Sequence, residues 1–168
     1  MPFTDASELY QIQEGRATRS FTDLLAGTRI INPLMLDRAD SYNYQYGDLK
    51  VQHNKRFKAV QCTAAVHRKE SEKTYKCVID FFGVEDGEKP SFSKSPCRVS
   101  CSCRAYYFYF AHPNTIKDAH ARGRMRPYVP KPPPKKKVGP WNPNDVPGVC
   151  KHLAAFGQLL RDSNYLLP

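Results

Sequence analysis

Two short motifs far apart in the chain constrain its fold more than anything else. They are Cys101-Ser102-Cys103 and Cys150-Lys151-His152, separated by 46 residues. Each falls at the edge of a periodic pattern. Cys97, Val99, Cys101 and Cys103 alternate with Arg98, Ser100, Ser102 and Arg104, which reads as a strand. Val149, Leu153, Phe156 and Leu160 recur at spacings of four, three and four residues, one face of a helix. Three thiolates and one imidazole, Cys101, Cys103, Cys150 and His152, make the ligand set of a closed structural Zn²⁺ site. In a strand, positions 101 and 103 share a face with Cα atoms about 6.6 Å apart, so their thiolates can converge. In a helix, positions 150 and 152 would point roughly 200° apart. Cys150 must therefore sit in the turn before the helix, supplied by Pro147-Gly148, with His152 in the first turn. The positive end of the helix dipole also favours a thiolate there. The alternatives are ordinary buried thiols beside a surface histidine, or a disulfide. Cys97 is in phase with the site face and is a candidate spare ligand.

Upstream of the first motif the pattern is β. Val60, Cys62, Ala64 and Val66 share one face of residues 57–68, and Tyr75, Cys77, Ile79 and Phe81 share one face of residues 75–84. The polar stretch Lys69-Glu70-Ser71-Glu72 joins them, so the two form a hairpin with matched apolar faces and core cysteines Cys62 and Cys77. Tyr42, Tyr44 and Tyr46 alternate with polar residues, a strand-like stripe suited to the core or to an interface, with a ligand platform as the alternative. Phe21 to Gly27 reads as one or two helical turns stopped by the glycine. Residues 105–112, with five consecutive aromatics, continue the strand or begin a helix; periodicity does not decide.

These elements predict an α+β fold. A small antiparallel sheet carries a zinc site that joins a strand end to a C-terminal helix. Residues 1–48 are expected to be a long extended N-terminal arm. Residues 49–168 are expected to be the zinc-stapled domain, with a basic Pro/Lys-rich insert at 113–147. Pro130 to Pro140 must be extended, because clustered prolines exclude helix.

Charge adds the next constraint. Lys plus Arg is 26 against 16 Asp plus Glu, a net +10, and the pI is about 9.4. Residues 113–147 hold eight basic side chains and two acids, so they carry +6 of that total, together with nine of the fourteen prolines. Such a segment can grip phosphates through Arg122, Arg124, Arg126, Lys131, Lys135, Lys136 and Lys137. No base-reading motif accompanies them, so any nucleic-acid binding would be indifferent to sequence. The longest apolar run, Ala105 to Ala111, is far short of the roughly 20 residues that span a bilayer, and mean hydropathy is −0.61, so no membrane partner is expected. Met1 to Asp5 has neither the basic start nor the apolar stretch of a secretory signal, so a reducing compartment is expected. There is no H-E-x-x-H, P-loop or triad signature. His53, His67, His112 and His120 are scattered, and four protein ligands would close the ion, so neither an enzyme nor a small-molecule substrate is expected.

The pair C-x-C and C-x-H resembles the SWIM-type zinc finger, a hairpin-plus-helix unit whose family roles are DNA or protein contact. Residues 99–160 are more closely similar to virion structural proteins of tailed bacteriophages. The likeness lies in Cys101-Ser102-Cys103, the aromatic stretch Tyr106 to Phe110, a long insert, and Asn142-Pro143…Pro147-Gly148-Val149-Cys150-Lys151-His152-Leu153. That resemblance implies a non-enzymatic virion component of the neck or baseplate region, assembled in the host cytoplasm. Its partners would be other virion proteins in a symmetric assembly. Nucleic-acid binding through the insert is the alternative.

Overall fold

The computed structural model describes residues 17–41, 43–121 and 142–168. Its centre is a four-stranded antiparallel meander in the order β1 (Tyr44–Asn54), β2 (Ala59–Arg68), β3 (Tyr75–Phe82) and β4 (Cys97–Cys101). The register pairs Val60 with Phe81, Cys62 with Ile79, Ala64 with Cys77 and Val66 with Tyr75. It also pairs Cys77 with Cys101, Ile79 with Val99 and Phe81 with Cys97. The alternating apolar residues of three strands therefore share one face, and nearly all are buried. The C-terminal helix, α5 (Lys151–Asp162), lies across this face. Leu153, Phe156 and Leu160 are fully buried there, as the periodicity predicts.

Residues 17–48 are not an extended arm. Two helices, α1 (Phe21–Ile31) and α2 (Leu34–Ser41), lead into β1, so the expected boundary at residue 48 falls inside a strand. Ser20 and Asp23 form a reciprocal capping box at the start of α1. Phe21 and Leu24 are completely buried. These two side chains give the segment a core to join, which an arm lacks. Gly27 does not stop α1. A Cβ at this position would collide with the Pro147 carbonyl, so the glycine permits a close crossing of α1 by the segment before α5.

After β4 the chain turns helical: α3 (Arg104–Tyr106) runs without a break into a π-helical turn, Tyr107–Ala111, and then α4 (His112–Ile116). The aromatic stretch is thus helical, with Tyr106 and Phe110 buried, and the first residues of the expected proline-rich loop are helix too. Ala119 and Ala121 then bond to Val99 on the free edge of β4 (Val99 N to Ala119 O, 2.8 Å; Ala121 N to Val99 O, 2.9 Å). That covers an otherwise open strand edge. The Tyr stripe lands partly where expected. Tyr44 and Tyr46 lie on the inner face and pack on α5, Tyr44 against His152 and Tyr46 stacked on Phe156; Tyr42 lies outside the described residues. Among the described residues no helix is long and apolar enough to cross a membrane.

Candidate metal centre

The centre forms where the end of one strand meets the starts of two helices. Cys101 is the last residue of β4. The strand stops there rather than at Arg104, and Cys103, still extended at φ −76° and ψ 156°, becomes the N-cap of α3. Cys150 is the N-cap of α5, and His152 lies in that helix's first turn, as the angular argument requires. Two of the three thiols therefore sit at helix N-termini, where the backbone dipole favours negative sulfur. The Cys103 sulfur accepts a hydrogen bond from Tyr106 N at 3.3 Å.

All four side chains are buried, and one candidate ligand atom from each lies within 4.8 Å of every other. His152 Nδ1 is 3.9 Å from Cys101 Sγ. A tetrahedron with Zn–S near 2.3 Å has edges of about 3.8 Å, so the cluster matches a four-coordinate ion after a small contraction. The imidazole is fixed by aromatic contacts, with the Tyr75 ring 4.5 Å away by centroid and the Tyr44 ring edge-on at 5.6 Å. With Nδ1 turned toward the thiols, a ligating imidazole carries its proton on Nε2.

Electrostatics within the cluster are asymmetric. Hydrogen bonds from the Cys101 and Cys150 thiols, aided by His152, pull Cys103 well below the usual thiol range. Burial pushes Cys101 and Cys150 up. Three sulfurs thus compete for negative charge in a largely buried site, and a bound cation is what would let all three ionise.

The Cys150 side is held by side chains that clamp backbone. Thr28 Oγ1 on α1 accepts from Val149 N at 2.8 Å and donates to Val149 O at 2.8 Å. Asn114 on α4 accepts from Gly148 N at 2.9 Å and donates to Gly148 O at 2.8 Å and to the Tyr106 hydroxyl at 3.1 Å. Asn142 closes the preceding turn, donating to Tyr109 O and Val146 O at 2.8 Å and accepting from Val146 N at 2.9 Å. Gly148 has no room for a Cβ, because the Phe110 ring and Thr28 Oγ1 occupy that space. These contacts give a physical reason for Gly148 and fix the backbone of Gly148 and Val149 just before Cys150.

The structure brings together Cys101, Cys103, Cys150 and His152, the expected ligand set. Cys97 is not a member; it pairs with Phe81 four ladder positions before Cys101 and is fully buried, its thiol pushed up by that burial. Cys62 is core, as expected. Cys77 is also core, but its Sγ lies 3.7 Å from Cys101 Sγ, a proximity that only the β3–β4 register reveals. Thr28, Asn114 and Tyr75 are further site residues that sequence patterns did not single out. Of the scattered histidines, His67 Nε2 is 2.8 Å from Gln45 Oε1 and His120 Nδ1 is 2.8 Å from the Tyr106 hydroxyl. Arg122, Arg124, Arg126, Lys131, Lys135, Lys136, Lys137 and the Pro130–Pro140 run lie outside the described residues. A cleft of about 560 Å³, lined by Lys76, Ser102, Arg104, Tyr107, Phe108 and His120, reaches Cys101 and Cys103. No family model, curated protein or solved structure matches the chain.

Proposed function

We propose that Cys101, Cys103, Cys150 and His152 hold a structural Zn²⁺, and that the protein is a non-enzymatic assembly component of a tailed-phage virion. One observation carries the reading: a complete set of four buried soft ligands joins a strand end to the start of the last helix. Four protein ligands fill a tetrahedral ion and leave no position for water or substrate, which favours a staple over a catalyst. The soft donors favour zinc over harder divalent cations. The virion assignment is supported by the likeness of residues 99–160 to tailed-phage structural proteins. The basic segment between Ala121 and Asn142 departs from and returns to the scaffold of the centre, where Val99 and Tyr109 tie its two ends. An insert rooted in that way suits contacts with neighbouring subunits.

The test has two parts. Purified protein should contain one equivalent of zinc, and deletion of residues 128–140 should leave it folded and zinc-loaded yet exclude it from particles. Absence of zinc sinks the staple, and normal particles from the deletion sink the assembly arm. Titration with random DNA across a salt series separates the nucleic-acid reading. Tight binding with a log–log slope of several units, reduced by about three when Lys135, Lys136 and Lys137 become Ala, would replace the assembly reading.

A further inference from the structure

Cys77 is the cysteine beside the centre that the four-ligand set does not use. It stands directly opposite Cys101 on the neighbouring strand. The ladder bonds on this pair of strands belong to the alternate positions, Phe82 N to Pro96 O and Ser102 N to Lys76 O. Cys77 and Cys101 are thus a non-hydrogen-bonded pair, the kind whose Cα atoms approach to about 4.5 Å with side chains close together. That spacing lies within the range a disulfide spans, about 4.4–6.8 Å. The two sulfurs are already 3.7 Å apart, and both cysteines are free thiols. Cys101 is also one of the two ligands that the 560 Å³ cleft reaches.

We propose that the Cys77–Cys101 pair is a reversible oxidation site that opens the metal centre: a peroxide converts it to a cross-strand disulfide, and the ion leaves. This inference rests on the reading of the centre as a metal site. The chemistry balances without another oxidant. The Cys101 thiolate attacks one oxygen of hydrogen peroxide, the O–O bond breaks, hydroxide departs and Cys101 becomes a sulfenic acid. The Cys77 thiol then attacks the sulfenic sulfur. The S–S bond forms, the S–O bond breaks, and the hydroxyl leaves as water with the thiol proton. Two electrons pass from the two sulfurs to the peroxide, and the hydroxide takes one solvent proton to give the second water. Cys101 no longer offers a thiolate, so three ligands remain. Cys77 is suited to the resolving role because the ion does not engage it, whereas Cys103 and Cys150 are ligands themselves. Exchange with a small dithiol reverses the bond and restores the ligand.

The experiment uses the full chain, loaded with zinc and treated with excess hydrogen peroxide. Zinc release is followed with a chromogenic chelator, and disulfides are mapped by peptide mass spectrometry. Zinc content of the reduced wild type is measured first. The expected result is one zinc before treatment, release on oxidation, a Cys77–Cys101 linkage, and recovery of zinc binding after dithiothreitol. Cys77→Ser and Cys77→Ala should load zinc normally and release it at least about ten-fold more slowly, because the intramolecular partner is gone. Cys62→Ser should behave as wild type. Absence of zinc from the reduced protein overturns the metal centre and this inference with it. Zinc present, but released equally fast from the Cys77 variants or with the linkage mapped between other cysteines, overturns the inference alone. If neither Cys77 variant folds, the wild-type linkage map decides.

Discussion

The two corners that supply ligands to the centre are built by different means. The Cys101–Cys103 corner is local. Cys101 is locked by the β3–β4 ladder, Ser102 bonds to Lys76 on the same ladder through both backbone and side chain, and Cys103 caps its own helix. Sequence neighbours and one adjacent strand suffice to shape it. The Cys150–His152 corner is assembled from a distance. No side-chain cap holds the start of α5. Its lead-in is clamped by Thr28, 121 residues from Val149, and by Asn114, 34 residues from Gly148. The contrast teaches that one half of the site is set by secondary structure and the other by tertiary structure. Damage should therefore spread further from the second corner.

The largest expected effect comes from removing a ligand at that corner. Cys150→Ser should abolish stoichiometric zinc and the cooperative thermal transition, since structural zinc contributes on the order of 10 kcal/mol to folding in small domains. Calorimetry with and without a chelator checks this. A variant that melts as wild type would show that the core alone carries the fold. Acid should mimic the change. In the proposed zinc-bound state the ligands are thiolates and a neutral imidazole, so that state holds fewer protons than the unfolded chain, and stability should fall as pH falls. A chelator titration at successive pH values reads this; pH-independent zinc retention would contradict it.

Next is Asn114→Ala. It leaves Gly148 N–H and C=O without their partner in a buried place, at a cost of about 1–3 kcal/mol per group. Urea unfolding of the zinc-loaded protein should show a clear drop in midpoint with the zinc content unchanged. Thr28→Val keeps the shape but removes the hydroxyl from Val149, and should cost about 1–2 kcal/mol by the same assay. The smallest effect belongs to the local corner. Ser102→Ala removes one exposed hydrogen bond to Lys76 N and should stay within about 0.5 kcal/mol of wild type. If Ser102→Ala proved as harmful as Asn114→Ala, the division into local and distant corners would fail.

The same division explains what could be read from the sequence. The Cys/His cluster was legible because C-x-C and C-x-H are short motifs with their own geometry. The β2–β3 hairpin and α5 were legible from periods of two and about 3.6. The rest depended on partners remote in the chain. Gly27 looks like a helix stop, and only the crossing by Pro147 shows why a glycine sits inside α1. Residues 1–48 looked like an arm because their local signals are weak; the Phe21 ring finds its place only where Gly157 of α5 leaves room for it. Tyr106 to Phe110 are apolar all round, so no period could separate strand from helix. Cys77 looked like core, and is; its second neighbour, Cys101, depends on a register set across the 14-residue connection between β3 and β4.

The 121-residue separation between Thr28 and Val149 bears on how the chain matures during synthesis. The meander β1 to β4 pairs neighbours in order and can close as each strand appears. The burial partners of α1 on α5, and the last two members of the Cys/His cluster, emerge only with residues 149–160, after all four strands. Translation at about 5–20 residues per second puts some 2–10 s between Cys103 and His152. Throughout that interval the nascent chain presents an unfinished thiol pair and an uncovered sheet face. Completion of the fold and assembly of the four-residue Cys/His cluster are therefore one late event, timed by the order of synthesis rather than by the sheet.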